Sequence, residues 1–177
     1  MNERLLIAGA GGQGIVLIGK LLATAAVKDI PHVTFFPAYG AEVRGGVSNC
    51  QVILSSREIA SPLSEAFDSM LIMNQASADL YRSRMGASCL TLMNRSLCRG
   101  TESPPTVLIR ATEIAEELGD ARAANFVMLG AYLARKPFVA AADIEQELKR
   151  LLGGKGAALI ELNLKAFRTG MMQGPTL

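Results

Sequence analysis

Six residues near the start, Gly9-Ala-Gly-Gly-Gln-Gly14, carry the spacing G-x-G-x-x-G between a short apolar run, Arg4–Ala8, and a stretch with few charges, Ile15–Lys28. Strand, glycine turn and helix in that order let peptide N–H groups at the positive end of the helix meet a phosphate or carboxylate. The same residues also suit a plain tight turn that packs a strand on a helix and holds nothing. A bound dinucleotide would require more: an acid at the end of the second strand, about 20 residues on, to hold the ribose hydroxyls. Those positions are Thr34, Phe35, Phe36 and Pro37, and the nearest acid downstream, Glu42, belongs to the next loop. Hydride chemistry would also need an acid or base. The one histidine, His32, falls in a strand pattern, where a packed core role is expected.

The second feature is Tyr39-Gly-Ala-Glu42-Val-Arg44-Gly45-Gly46. An arginine followed by two glycines can lie flat against a carboxylate or phosphate without obstruction. A solvated turn with an internal Glu42–Arg44 pair is the competing reading. In a doubly wound sheet, loops that follow the carboxyl ends of the strands share one edge, so Gly9–Gly14 and Tyr39–Gly46 are expected to line one crevice. The candidate binding residues are therefore Gly9, Gly11, Gly12, Gln13, Gly14, Tyr39, Glu42, Arg44, Gly45 and Gly46, with no catalytic and no metal-ligating residue assigned. The cysteines, Cys50, Cys89 and Cys98, are odd in number and contain no C-x-x-C, which suits neither zinc nor an iron–sulfur cluster held by this chain alone. Ser61-Pro62 and Asn74-Gln75 read as turn or cap residues, and Met70, Met73, Met85 and Met93 as core filler.

The elements that must position these residues follow from periodicity. Arg4–Ala8, His32–Phe36, Val47–Leu54, Asp68–Met73, Ser88–Met93 and Thr106–Arg110 are apolar runs of strand length, and Ser55–Glu58 is a turn. Ile15–Lys28 and Ala76–Arg84 fit helices. Thr112 is read as an N-cap for a helix with Ile114 and Leu118 on one face and Gly119 as its stop. Ala121–Arg135 is apolar enough to be a buried helix, and Gly100–Pro105 is a turn-rich connector. Ile144, Leu148, Leu151 and Leu152, then Leu159, Leu162, Ala166 and Phe167, repeat at helical spacing on either side of Gly153-Gly154. The expectation is an α/β fold: one domain over residues 1–177, a sheet flanked by helices with a Rossmann-like glycine-rich first βα turn, and extra C-terminal helices over about 111–170.

Composition sets the outer bounds. With 177 residues, 50% hydrophobic and 19% charged, the chain is long and apolar enough for a real core without staples. Lys+Arg 18 against Asp+Glu 16 leaves a net charge of +2 and no dense basic run, which argues against nucleic acid and membrane surfaces as partners. The longest uncharged stretch, Leu5 to Gly19, is 15 residues with five glycines, too short for a spanning helix. Ala23-Thr24-Ala25 mimics a signal cleavage site, but Glu3 cancels Arg4 and the glycines break the apolar region, so a cytoplasmic chain is expected.

Gly9-Ala-Gly-Gly-Gln-Gly14, Pro37-Ala-Tyr-Gly-Ala-Glu-Val-Arg-Gly-Gly46 with Ser48-Asn-Cys50, Ser61-Pro62, Met73-Asn-Gln75, Ala111-Thr-Glu-Ile-Ala115 and Asn125-Phe-Val-Met-Leu-Gly130 also carry a family resemblance. From about residue 4 to 169 the chain resembles the gamma subunit of 2-oxoacid:ferredoxin (acceptor) oxidoreductases, with Tyr39–Gly46, Asn49 and the tail motif most like the 2-oxoglutarate and branched-chain types. The resemblance implies a multi-subunit enzyme that converts a 2-oxo acid, coenzyme A and oxidised ferredoxin to acyl-CoA, CO2 and reduced ferredoxin. It implies that thiamine diphosphate and a [4Fe–4S] cluster are held by alpha and beta subunits and that a ferredoxin-like delta subunit can be present. With no catalytic constellation among its own residues the isolated chain is expected to be inactive, and an apolar partner face left uncovered is expected to pair it with a second copy as a homodimer. The small subunit of indolepyruvate ferredoxin oxidoreductase and a free-standing nucleotide-binding protein are the alternatives. On this reading the glycine loop and Arg44 face partner subunits, where they shape the coenzyme A entrance or brace the active site.

Overall fold

The computed structural model describes residues 1–38, 47–86, 88–99 and 106–174. The apolar runs pair into a six-stranded mixed sheet made of β1 (Asn2–Ala10), β2 (His32–Ala38), β3 (Val47–Ser55), β4 (Ser69–Ile72), β5 (Leu90–Asn94) and β6 (Thr106–Ile109), in the order β2-β3-β1-β4-β5-β6. Strands β1, β4, β5 and β6 are parallel neighbours, and β3 runs antiparallel to both β1 and β2. Only eight residues separate Ala38 at the end of β2 from Val47 at the start of β3, too few for the crossover of about a dozen or more that a parallel step needs, so the two pair antiparallel. The sheet is thus mixed on its β2–β3 side.

Alternation along β1 assigns its two faces. Leu5 and Ile7 enter one buried cluster with Cys50, Val52, Leu54, Leu71 and Leu92, and Leu6 and Ala8 enter a second with Met70, Ile72 and Met93. Each such aliphatic side chain contributes about 1.5–3 kcal/mol when fully withdrawn from water. The first face carries α1 (Ile15–Ala26), α3 (Ala111–Glu117), α4 (Ala124–Leu133), α5 (Ala141–Leu152) and α6 (Ala157–Met171). The second is covered by α2 (Gln75–Tyr81), which brings Ala78 to its cluster. All ten residues of α4 are buried, as its all-round apolar sequence requires, because the helix is enclosed by α6, α3 and the sheet. In α5, Ile144, Leu148 and Leu152 face inward. In α6 the inward face is Asn163, Leu164, Ala166, Phe167 and Gly170, while Leu159 and Leu162 are only half-buried. Among the described residues no helix is long and apolar enough to cross a membrane.

Three local expectations are corrected. Thr112 does not cap α3: the helix starts at Ala111 behind Arg110, and Thr112 is held from outside by Asn94, whose Nδ2 donates to Thr112 Oγ1 at 2.8 Å. His32 opens β2 half-buried at the sheet margin and is not a core residue. The helix expected over Ala76–Arg84 begins one residue earlier and tightens into a 3-10 turn at Arg82–Arg84. Its N-cap is Asn74, whose Oδ1 accepts from Ser77 N at 2.9 Å.

Candidate functional site

The glycine loop leaves β1 at the sheet edge where β4, β5 and β6 also end, and it runs directly into α1. Gln13 closes the turn twice: its N–H donates to Ala10 O at 3.2 Å, and its Oε1 accepts from Ala10 N at 2.7 Å. Gly9 sits beneath that closure. A Cβ there would lie 2.6 Å from Gln13 Oε1 and 2.9 Å from Met73 Cβ, so the position admits only glycine. Gly14 has φ +68 and a Cβ on it would meet Asn125 Nδ2 at 2.2 Å. Its carbonyl accepts from that same Nδ2 at 3.2 Å and from Ile18 N at 3.2 Å, which ties the loop to the start of α4.

Gly11 and Gly12 differ. Both are exposed, and a Cβ added at either would meet nothing within 4 Å. Gly12 needs glycine for its φ of +86, whereas Gly11 has no such requirement. The loop therefore divides into a packed pair, Gly9 and Gly14, and an open pair, Gly11 and Gly12, with Gln13 as the brace. Behind the open pair, the N-terminus of α1 has no side-chain cap and no acidic residue in its first turn, so its N–H groups carry the positive end of the helix dipole undiminished.

Two small cavities flank the loop. One of about 200 Å³ runs past Gly12 and Gln13 to Met73, Leu97, Thr112 and Asn125. Another of about 270 Å³ lies toward α6, lined by Gly14, Leu17, Arg122, Lys155 and Asn163 among others. Arg122 is engaged by Asp120, with its Nη2 at 2.6 Å from Oδ2. The wall between strand ends is polar and closed on itself, with Asn94 Nδ2 donating to Met73 O at 3.4 Å as well as to Thr112. Asn125 and Asn94 are missing from the sequence-derived site, although Asn125 heads one of the motifs that carry the resemblance. Nothing in local spacing places either beside residues so distant in the chain.

The other half of the expected site, Tyr39, Glu42, Arg44, Gly45 and Gly46, lies outside the described residues. Its flanking residues are described: Ala38 pairs with Asn49, and Val47 pairs with Ala10 at the end of β1. Ser61 and Asn74 have turn and cap roles, with Ser61 Oγ accepting from Leu63 N at 3.1 Å. The cysteines do not fit an iron–sulfur cluster. Cys50 belongs to one buried cluster and Cys89 and Cys98 to the other. Burial pushes the thiols of Cys50 and Cys98 up to about 12. Among the described residues no group of three His, Cys, Asp or Glu could hold a metal ion.

The family model described as pyruvate ferredoxin/flavodoxin oxidoreductase matches residues 4–173. The ketoisovalerate oxidoreductase subunit VorA of Methanothermobacter thermautotrophicus is 33% identical over 94% of this chain, which spans 35% of that protein. The 2-oxoglutarate synthase subunit KorC of Methanocaldococcus jannaschii is 30% identical over 96% of this chain and 92% of its own length. Among solved structures, the keto/oxoacid ferredoxin oxidoreductase gamma subunit of Geobacter sulfurreducens aligns over 97% of both chains with TM-score 0.79 and 29% identity. The 2-oxoglutarate:ferredoxin oxidoreductase of Magnetococcus marinus, solved with 2-oxoglutarate, coenzyme A and succinyl-CoA bound, shares the fold at TM-score 0.85 and 23% identity. It covers 97% of this chain, which spans 31% of that one. The chain thus spans about a third of the length of the first of these relatives.

Proposed function

Because the chain belongs to the pyruvate ferredoxin/flavodoxin oxidoreductase family, we propose that it is the gamma component of a cytoplasmic 2-oxoacid:ferredoxin oxidoreductase of the 2-oxoglutarate type. Residues 1–177 act as one gamma domain beside alpha and beta subunits, and a ferredoxin-like delta subunit can join them. The complex carries out the oxidative decarboxylation of the 2-oxo acid with coenzyme A and delivers the electrons to ferredoxin. Thiamine diphosphate and the [4Fe–4S] cluster supply the decarboxylation and electron-transfer chemistry from the partner chains. The buried, separated cysteines of this chain do not fit a cluster. A branched-chain 2-oxo acid is the second reading, favoured by the 33% identity to the ketoisovalerate enzyme.

The site reading is carried by the open pair Gly11 and Gly12 in front of an uncapped α1. Backbone N–H groups with no side chain in front of them suit an anionic, elongated ligand that slides past. With Arg44 this loop lines the entrance taken by coenzyme A. The chain's own groups bind and orient, and the bond-making steps happen on the partner subunits. Alone, the chain pairs with a second copy through the face those subunits would cover, and light scattering on the purified chain tests that pairing.

Co-expression with the genes adjacent to this one, followed by a pull-down on this chain, tests the reading. The eluate is assayed for coenzyme A-dependent viologen reduction with 2-oxoglutarate, 2-ketoisovalerate, indolepyruvate and pyruvate. Activity with 2-oxoglutarate is expected. A rate confined to indolepyruvate or pyruvate would move the chain to another branch, and a chain that emerges without partners would refute the assignment. Gly11→Val and Arg44→Ala are expected to raise the KM for coenzyme A. Unchanged kinetics in an intact complex would refute the entrance.

A further inference from the structure

Leu97 lines the narrow cavity beside Gly12 and Gln13. That half-exposed side chain also lines a wider, open cavity of about 880 Å³. The wider cavity holds three guanidinium groups: Arg82 from the turn after α2, and Arg95 and Arg99 from the segment after β5. Its acidic lining residue, Asp79, is already engaged, taking Gln75 Nε2 at 2.9 Å and Arg82 Nη2 at 3.3 Å. Among the described residues no carboxylate lies within ion-pair distance of Arg95 or Arg99; Glu113, which feels the Arg95 charge, is held by Arg110. Glu102, the nearest acid in sequence, lies outside the described residues.

The backbone that carries the two unpaired arginines is fixed. Arg95 N donates to Ile109 O at 2.8 Å, Cys98 N to Asn94 O at 2.9 Å, and Arg99 N to Gln75 Oε1 at 2.7 Å. Cys98 between them is buried in the second core cluster. Two planar forks on an anchored turn, across Leu97 from the bare glycines, suit a terminal phosphate on an elongated ligand. The cavity on the other side of the loop is a poorer match, because Asp120 neutralises Arg122 there and leaves Lys155 alone.

We propose that Arg95 and Arg99 form a phosphomonoester subsite that takes the ribose 3′-phosphate of coenzyme A, with Leu97 between it and Gly12. The subsite rests on the reading of the glycine loop as the coenzyme A entrance. It makes these arginines specificity residues that distinguish coenzyme A from its dephosphorylated form.

The assembled complex is assayed with coenzyme A and with dephospho-coenzyme A, which lacks only that phosphate. Losing one charge-assisted contact at an open site, Arg95→Ala or Arg99→Ala raises the KM for coenzyme A by about five- to tenfold. The KM for dephospho-coenzyme A does not move, so discrimination between the two coenzymes collapses. An equal rise for both coenzymes, no rise for either, or a phosphate-specific rise produced by Lys155→Ala in place of the arginine variants overturns the subsite. Both arginines are exposed, so folding is preserved, and a titration of the full chain with adenosine 3′,5′-bisphosphate against adenosine 5′-diphosphate gives a readout independent of turnover. Inorganic phosphate competing as well as the bisphosphate would mean a free-phosphate site and would also overturn it. Failure of the underlying reading looks different: Gly11→Val would then leave the KM of both coenzymes untouched.

Discussion

Replacing Gly130 by alanine is the sharpest test of how α4 is held. A Cβ built at Gly130 falls 2.1 Å from Phe167 O and 2.8 Å from Met171 N, and one at Gly170 falls 2.1 Å from Val127 O. The two glycines let the backbones of α4 and α6 touch at one crossing. No rotamer change can relieve the clash, because the obstructing atoms are main chain. The helices must separate by about 1 Å, and a gap of that size forfeits about a quarter to a half of each van der Waals well it opens. Overpacking against movable side chains costs about 1–3 kcal/mol, and rigid backbone places this case at or above the top of that range. The gain in helix propensity from Gly to Ala returns about 1 kcal/mol. A net loss of at least about 2 kcal/mol is expected for Gly130→Ala, and with a urea m-value of about 2 kcal/mol/M the midpoint falls by about 1 M or more.

The assay is urea unfolding followed by circular dichroism, with Gly154→Ala as control. A Cβ at Gly154 meets nothing within 4 Å, so the stability of Gly154→Ala stays within about 0.5 kcal/mol of the parent. Gly170→Ala behaves like Gly130→Ala, and the double variant loses less than the sum, because helices already separated do not clash twice. A Gly130→Ala protein as stable as the parent, or a strictly additive pair, would refute the argument that one backbone contact sets the α4–α6 distance.

Lys136→Met leaves Glu3, 2% exposed, with hydrogen bonds from Ser69 Oγ (2.5 Å) and Tyr132 OH (3.1 Å) but no countercharge; a loss of about 3–5 kcal/mol is expected, and a loss under about 1 kcal/mol in urea contradicts it. With thiols held up to about 12, Cys50 and Cys98 are about one part in ten thousand thiolate at pH 8, so an aromatic disulfide reagent leaves them untouched in the native chain and titrates all three cysteines in guanidinium; rapid native labelling of either is the contrary result. The Arg4 side-chain hydrogen bond holds the Asp68 carboxyl below its usual value of 3.8, so its stabilisation is present above that pH and is lost as the pH falls through the lower folded value. Asp68→Asn should remove that part of the acid dependence, worth under about 1 kcal/mol for so exposed a pair, and an unaltered acid limb would deny the pair any role.

What the sequence made legible follows the range of the forces involved. Strand runs, the all-apolar α4 and the face of α5 are written in periodicity within one element. The direction of β3 is not, because it depends on how many residues join it to β2 and on which strands it pairs with, and Val47–Ser55 reads the same either way round. Thr112 shows the limit of cap rules: hydroxyl and position suit a cap, but Asn94, 18 residues away, fixes it inside the first turn. The glycine motif was visible, but its division was not. Spacing cannot tell Gly9, pressed on Met73, from Gly11, which faces nothing. Arg95 and Arg99 read in the sequence as ordinary surface charges, because only the tertiary pairing of their backbone with Ile109 and Gln75 brings both to the lining of one cavity.

That division decides which variant can separate packing from function. Gly14→Ala confounds them: φ of +68 and an Asn125 contact at 2.2 Å make it costly before any ligand or partner is met. Gly12→Ala carries a strain cost of about 1–2 kcal/mol for an L-residue in the left-handed region. Gly11 has neither handicap, so Gly11→Ala should leave the unfolding midpoint of the free chain unchanged or slightly raised, since a glycine is lost from the unfolded ensemble. If the open pair lets a ligand or a partner backbone approach, the same substitution weakens coenzyme A use or subunit assembly in the complex. A methyl group that costs the free chain nothing and costs the complex several-fold in KM locates the contact at Gly11. A methyl group silent in both would mean that the first glycine of the open pair meets nothing, and that the loop exists for the turn and for Asn125 alone.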